Sequence, residues 1–442
     1  MAILKGNCFN CHNAEKKKGG LLLTSRAGLF KGGDNGPVVT AGNGEKSKLI
    51  HILSPESDPH MPPKKQLSDK QIAVLRSWID EGAVWNEQAL ATFGMDTPLE
   101  KLGSLPQQYQ PVLALALSPD GKTLAVARGQ SLTRYDLSNT NFTALTAAER
   151  HRDAVQSLAW SHNGKLIASG SYRELCIWDA GSNSDPSGRT LKLTRRITNS
   201  FVSRINAAAF SPDDTLLAVS DGLPTKSGII RIWQTASWKP ATNWEAHRDS
   251  IMALEFSHDG KMLASGGADK LAKIFQVVTR PEGPSGKELT RFEGHGGHVL
   301  AVGFSPDDSM LATAGADKVL NFWDTKTREQ KITVPKHPAP LTALAWAANG
   351  KSLVTASEDG SARIYTDLKS HSGKEQSEGA QMRALSTVDE VLYAIALSAD
   401  GKTIYGGAHD GTVYIWNSDG KLKRKLDQPK LPSQLARVEA AR

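Results

Sequence analysis

From about residue 109 onward, apolar residues gather in short runs, each cut off by a tight polar turn. The runs at 115–117, 158–160, 208–210, 254–256, 302–304, 344–346 and 395–397 each lead into an Asp-Gly, Asn-Gly or Asp-Asp pair, from Asp120-Gly121 to Asp400-Gly401. Such pairs tolerate the positive φ that a tight hairpin needs, so each run predicts a strand entering a hairpin. A second apolar strand follows, of the kind Met262-Leu263-Ala264-Ser265-Gly266-Gly267. A third ends in an aromatic plus a polar residue: Tyr135-Asp136, Trp178-Asp179, Trp233-Gln234, Phe275-Gln276, Trp323-Asp324, Tyr365-Thr366 and Trp416-Asn417. Before residue 90 the pattern differs. Gly-rich loops lead to one clear helix, opened by a Ser68…Gln71 capping box, with Ile72, Leu75, Trp78 and Ile79 as its apolar face and Gly82 as its stop.

Seven copies of one hairpin at a period in the forties resemble the WD40 repeat, over about three quarters of the chain. The resemblance implies an all-β propeller of seven blades. Stretches near 181–200, 279–290 and 369–388 read as insertions between blades. The outer strand closing the last blade is expected either from residues 100–106 or from 421–426, the second choice leaving a short tail. His247, Ser265 and Asp269, like His295, Thr313 and Asp317 with Trp323, offer the residue types of a hydrolase triad. A catalytic set occurs once, whereas these recur, and the resemblance implies hydrogen-bond networks tying the strands together. Cys176 in Leu175-Cys176-Ile177-Trp178 reads as a buried core thiol.

Composition narrows the chemistry. A net charge of +7 without a long Lys/Arg run argues against nucleic acid as a partner, and no apolar stretch is long enough to span a bilayer. Three cysteines cannot make a disulfide scaffold, yet two of them form Cys8-Phe9-Asn10-Cys11-His12. Thiols one helical turn apart reach the two vinyl groups of one porphyrin, and the next histidine then points at its iron. Zinc would need a second ligand pair, and a thioredoxin-like motif would need a strand before it. One covalent haem c is therefore expected on Cys8 and Cys11, with His12 as the first axial ligand. For the sixth position Met61 is favoured, because Pro62 and Pro63 restrict the backbone around a weak thioether ligand. His60 is its nearest rival, His51 a weaker one, and an open position the remaining alternative. The helix after this loop is expected to cover the haem, with Trp78 in the core.

Asn7-Cys8-Phe9-Asn10-Cys11-His12, Lys18-Gly19-Gly20-Leu21 with Ser25-Arg26, Lys31-Gly32-Gly33-Asp34 with Gly36-Pro37, Met61-Pro62-Pro63, and Ile79-Asp80-Glu81-Gly82-Ala83 together resemble the planctomycete-type cytochrome c domain. That resemblance covers residues 1 to about 90 and implies a small all-α domain that transfers electrons in an exported compartment. No leader precedes the motif and only about one helical turn stands before Cys8, so a native start upstream is expected. The organisation expected is a cytochrome domain at 1–92, a linker at 93–108, the propeller at 109–428 and a tail at 429–442. The function expected is single-electron transfer in the periplasm or another exported compartment, with a redox partner protein and an unknown protein bound by the propeller. Lys16-Lys17-Lys18 and Lys64-Lys65 read either as a docking ring for an acidic redox partner or as a solvated face. The alternatives are a redox enzyme whose propeller site feeds the haem, and a scaffold whose haem is structural.

Overall fold

The computed structural model describes residues 2–63, 66–83, 85, 110–138, 142–146, 150–181, 191–278, 285–334, 336–366, 368 and 381–427. The expected linker at 93–108, the candidate closing strand at 100–106, Lys64-Lys65 and the tail at 429–442 lie outside the described residues. The chain divides into two units, Met1–Pro98 and Leu99–Arg442.

In the first unit the helices are few and short: α1 (Ala2–Asn7), a 3-10 turn (Lys18–Gly20), α2 (Arg26–Lys31), α3 (Lys48–His51) and α4 (Asp69–Asp80). Glycine explains the brevity. A Cβ on Gly33 would collide with the Gly19 carbonyl, so the segments Lys18-Gly19-Gly20 and Lys31-Gly32-Gly33-Asp34 abut as bare backbone. The longest helix, α4, carries the capping box expected of it: Ser68 Oγ accepts the Gln71 N–H at 3.4 Å, and Gln71 Oε1 accepts the Ser68 N–H at 3.0 Å. Leu75 and Ile79 of α4 bury against Leu4, Leu23, Leu29, Leu49 and Leu53, with Ile72 and Trp78 packed at the margin.

The second unit is seven antiparallel sheets of four strands, each made in simple sequence order. Blade 1 comprises β1 (Val112–Leu117), β2 (Thr123–Arg128), β3 (Ser131–Asp136) and β4 (Ala144–Thr146), and blade 7 ends with Leu422–Leu426. Second strands are buried on both faces between neighbouring blades, so they read as unbroken small and apolar runs without alternation. In every blade the aromatic near the end of the third strand lies opposite the same large residue of the second: Leu124↔Tyr135, Ile167↔Trp178, Leu217↔Trp233, Leu263↔Phe275, Leu311↔Trp323, Leu353↔Tyr365 and Ile404↔Trp416. The hairpins share one device. Ser118 Oγ donates to Asp120 at 2.6 Å and accepts the Thr123 N–H at 2.9 Å, and the pattern recurs at Ser211, Ser257, Ser305 and Ser398.

The three expected insertions each contain part or all of an outer strand: Lys192–Ile197, Ser285–Phe292 and Gln381–Ala384. Their outer position leaves much of each strand in water, so no apolar run marks them. The closing strand is Leu422–Leu426, and it pairs with Val413–Asn417 of its own blade. No strand among the described residues crosses from blade 7 to blade 1.

The seam is tied instead by Arg128. Its guanidinium is buried, with Nε donating to the Gly411 carbonyl at 2.6 Å, one terminal nitrogen to Tyr135 Oη at 2.7 Å and the other to the Leu426 carbonyl at 2.9 Å. Gly411 and Leu426 belong to blade 7, Arg128 and Tyr135 to blade 1. Burial lowers the Arg128 pKa, but a guanidinium keeps its proton at any physiological pH. Replacing Arg128 by Met removes these bonds and strands buried acceptors. We expect Arg128→Met to cost about 3–5 kcal/mol in urea unfolding of the propeller. A loss below about 1 kcal/mol would show that apolar packing alone holds the seam.

The networks expected around His247 and His295 are present. His247 bonds Asp269 at 2.8 Å and Ser265 at 2.7 Å, and His295 bonds Asp317 at 3.0 Å and Thr313 at 2.8 Å, with Trp323 Nε1 donating to Thr313 at 2.9 Å. Blade 2 has the same set in a form the sequence concealed: His151 meets Ser169 and Ser171, Trp178 donates to Ser169 at 2.7 Å, and Glu174 replaces the turn aspartate. Cys176 lies fully buried beside it. In blade 3, Phe201 and Val219 stand at the corresponding positions, and the buried Trp233 Nε1 has no partner. Trp178→Phe and Trp233→Phe remove similar volume, but only the first breaks a bond. We expect Trp178→Phe to be the more destabilising by about 1–2 kcal/mol. Equal losses by chemical denaturation would mean that packing, and not the hydrogen bond, sets the role of these indoles.

Candidate haem-attachment site

Helix α1 carries the chain into the Cys8–His12 turn. The Cys8 N–H donates to the Leu4 carbonyl at 2.8 Å, and the amides of Cys11 and His12 both reach the Cys8 carbonyl, at 3.2 and 3.1 Å. The far side is pinned as well, by Lys18 N–H on the Cys11 carbonyl at 3.2 Å and Leu23 N–H on the His12 carbonyl at 2.9 Å. Asn7 and Asn13 side chains cap the turn through the Ile3 and Phe9 carbonyls. Cys8, Cys11 and His12 are thus brought together on one turn after α1, with both sulfurs as free thiols. Cys8 and Phe9 pack against the unit's core. Burial, with Cys11 adding, pushes the Cys8 thiol up to about 11.

The imidazole of His12 carries a buried Nδ1 with no hydrogen-bond partner. An orphaned imidazole nitrogen beside two partly buried thiols, one of them with its pKa raised, is a poor hydrolytic centre and a poor thiolate metal site. It suits a group that takes both sulfurs as uncharged thioethers and the imidazole as a ligand. These residues fit a c-type haem.

Met61 does not belong to that turn. Its amide donates to the Ile52 carbonyl at 2.8 Å, and Ser57 Oγ donates to the same carbonyl at 3.0 Å. Ile52 borders the same apolar core as Cys8, so both segments are hung on one set of leucines. The loop bends at Met61 and does not run extended; Asp58–Pro59 and Met61–Pro62 are cis peptides, which a tertiary amide makes accessible. His60 is engaged elsewhere. Gln66 donates its amide hydrogens to the Leu53 and Leu67 carbonyls at 2.9 and 3.0 Å, which leaves its Oε1 to accept from His60 Nε2 at 2.7 Å. Gln66 was missed from the sequence, since its role depends on two carbonyls brought together by folding. His51, at the end of α3, is exposed, as are Lys16, Lys17 and Lys18.

Fold and site together define a seven-bladed propeller protein with a Cys-x-x-Cys-His unit before it. The WD40 repeat model (WD domain, G-beta repeat) matches residues 143–179, 192–234, 238–276, 286–324, 328–366 and 384–417, and the planctomycete cytochrome C model matches residues 8–65. The chain belongs to the WD40-repeat family. It is 33% identical over 158 residues to actin-interacting protein 1-2 of Arabidopsis thaliana, covering 35% of this chain and 24% of that protein. It is 25% identical over 167 residues to the COMPASS component SWD3 of Saccharomyces cerevisiae, covering 37% and 48%. The chain therefore spans less than half the length of these relatives. A chain in a crystal structure of the mitotic checkpoint complex superposes with a TM-score of 0.57 at 20% identity, covering 73% of this chain and 98% of that one, which shows the propeller fold.

Proposed function

We propose that this protein is an exported mono-haem c-type cytochrome that passes single electrons, its WD40 propeller serving as a protein-binding or positioning platform. The observation that carries the reading is the Cys8–His12 turn: two free thiols and an orphaned imidazole nitrogen held by backbone bonds on both sides. The family match at residues 8–65 supports the same reading. Cys8 and Cys11 would hold the haem covalently, and His12 and Met61 would bind its iron. A haem so held supplies a one-electron iron couple.

The chain's own residues set the conditions. Bonds to the His12 and Cys11 carbonyls fix the imidazole's backbone, and the Ile52 carbonyl anchors Met61. Gln66 holds His60 Nε2 as a hydrogen-bond donor, which favours Met61 over its neighbour. The leucine core under Cys8 keeps water from one side of the site. Export to the periplasm follows from where c-type haem is attached. Among the described residues no helix is long and apolar enough to cross a membrane. Two of the relatives are named for an interaction and an assembly, which supports the platform role. We read the protein as an electron-transfer and interaction protein, not a catalyst, because the His–Ser/Thr–Asp sets are internal staples of the blades.

Protein matured with haem-attachment machinery should carry one haem per chain that survives acid-acetone extraction, read by mass and visible spectrum. A colourless chain with both thiols free at Cys8 and Cys11 would overturn the reading.

The sixth ligand can be tested separately. Ferric wild type should show the weak red absorption of iron–methionine ligation. Met61→Ala should abolish that band and lower the reduction potential, because a thioether favours the ferrous state. His60→Ala should leave both nearly unchanged. The opposite pair of results would assign His60 as the ligand.

A further inference from the structure

A cavity of about 610 Å³ opens into the centre of the propeller at the face where the inner-strand hairpins turn. The ends of all seven inner strands form its wall. At one register position those strands carry Ala116, Ala159, Ala209, Gly303, Ala345 and Ala396 in six blades, and Glu255 in blade 4. Glu255 is the one carboxyl group among the described residues lining the cavity, amid Leu117, Val302, Leu344 and Leu397. The fold does not ask for an acid there, since six blades close the ring with a methyl group or a hydrogen. Burying a carboxyl group among aliphatic side chains is costly unless it is satisfied.

Glu255 is partly exposed to the channel. Oε2 accepts the Phe304 N–H at 3.0 Å, and no other hydrogen bond to this carboxyl group occurs among the described residues. The neighbouring Gly303 makes room chiefly for Leu344, whose Cδ1 would stand 2.5 Å from a Cβ there, and also for Glu255 Oε2, at 3.3 Å. Trp160 and Trp346 also line the space, each fixed by its indole N–H on a backbone carbonyl at 3.0 Å (Ala116 and Gly303). Aromatic faces, aliphatic walls and a single carboxyl group are complementary to a cation carried on a hydrocarbon stem. We propose that the propeller channel binds an organic ammonium ion on an aliphatic stem, with Glu255 as its counter-ion.

Burial, with a smaller push from Asp308, raises the Glu255 pKa to about 8, against the Phe304 amide, which lowers it. The other titratable groups facing the cavity are His162 and His258 at its rim, paired with Asp214 and Asp308. Protonation of Glu255 therefore competes with cation binding near neutral pH. A bound cation draws the proton off, so affinity should rise with pH up to and just beyond about 8.

The test is titration of the full haem-loaded chain by calorimetry at pH 6.5 and 8.5 with two probes, n-butylammonium chloride and the peptide acetyl-Gly-Gly-Lys-Gly-Gly-amide. We expect saturable binding, roughly tenfold or more tighter at the higher pH, with proton release near pH 7. Glu255→Gln keeps an acceptor for the Phe304 amide, so it should fold with an unchanged melting profile. It should weaken binding by roughly ten- to hundredfold and abolish the pH dependence. Tighter binding of the peptide would identify a lysine side chain of a partner polypeptide as the source of the cation, and tighter binding of butylammonium a free amine. Saturation by neither probe, or equal affinity in Glu255→Gln, would overturn the proposal.

Discussion

A ring of sheets must be closed, and in this protein closure falls to side chains. Each blade, the seventh included, is one contiguous stretch of chain, and among the described residues the seam between blades 7 and 1 has no shared ladder of backbone hydrogen bonds. A buried guanidinium takes that place because it has five donors in a rigid fork and can serve several carbonyls from two blades at once. Arg128 meets no carboxylate at hydrogen-bond distance; its partners are backbone carbonyls and a phenol. Around it the blades approach closely: a Cβ on Gly407 would run into Val112, and one on Gly411 into the Gln110 carbonyl. The small residues and the cation work together, the first letting the backbones meet and the second holding them.

The same connectivity explains why six WD40 segments are matched where seven blades exist. A repeat counted in sequence runs from the outer strand of one blade to the third strand of the next. Blade 1 has no outer strand of another blade before it among the described residues, so its three inner strands do not form a complete repeat. The hairpins were legible because their turns demand particular chemistry: a positive φ after an aspartate or asparagine, and a serine two residues before. The outer strands were not legible, because a half-exposed strand such as Lys192–Ile197 carries no periodic apolar signal. Arg128 was hidden for a related reason, since a charged residue at a strand end reads as solvated until the seam buries it.

At the cofactor site, covalent spacing made Cys8, Cys11 and His12 readable, because attachment to one planar ring admits few arrangements. Met61 was singled out by its prolines, and the structure adds the Ile52 carbonyl that anchors it and the Gln66 amide that occupies His60. Neither partner could be read from local pattern, being contacts across turns. Blade 2 is the converse case. Its histidine network was obscured because Glu174, one residue later than the usual aspartate and on the strand itself, supplies the carboxylate, with Arg196 bonded to its other oxygen.

Two hairpins depart from the Asp-Gly pattern, and the departure has a mechanical meaning. Asp214 and Asp308 take the turn position that glycine holds elsewhere, at φ of 58° and 57°. Each uses its side chain to accept two amide hydrogens from the preceding blade, His162 and Asn163 in one case and His258 and Asp259 in the other. Blades 2 and 3 are thereby riveted into a pair, and so are blades 4 and 5. The remaining joints are tied differently, by side chains that donate to a backbone carbonyl of a neighbouring blade: Trp160 to Ala116, Asn206 to Ile251, Trp346 to Gly303, Thr342 to Leu392 and Arg128 to Gly411. The joint between blades 4 and 5 also carries the Glu255 bond to the Phe304 amide, so the channel wall bearing Glu255 is held to its neighbour by acceptors from both blades.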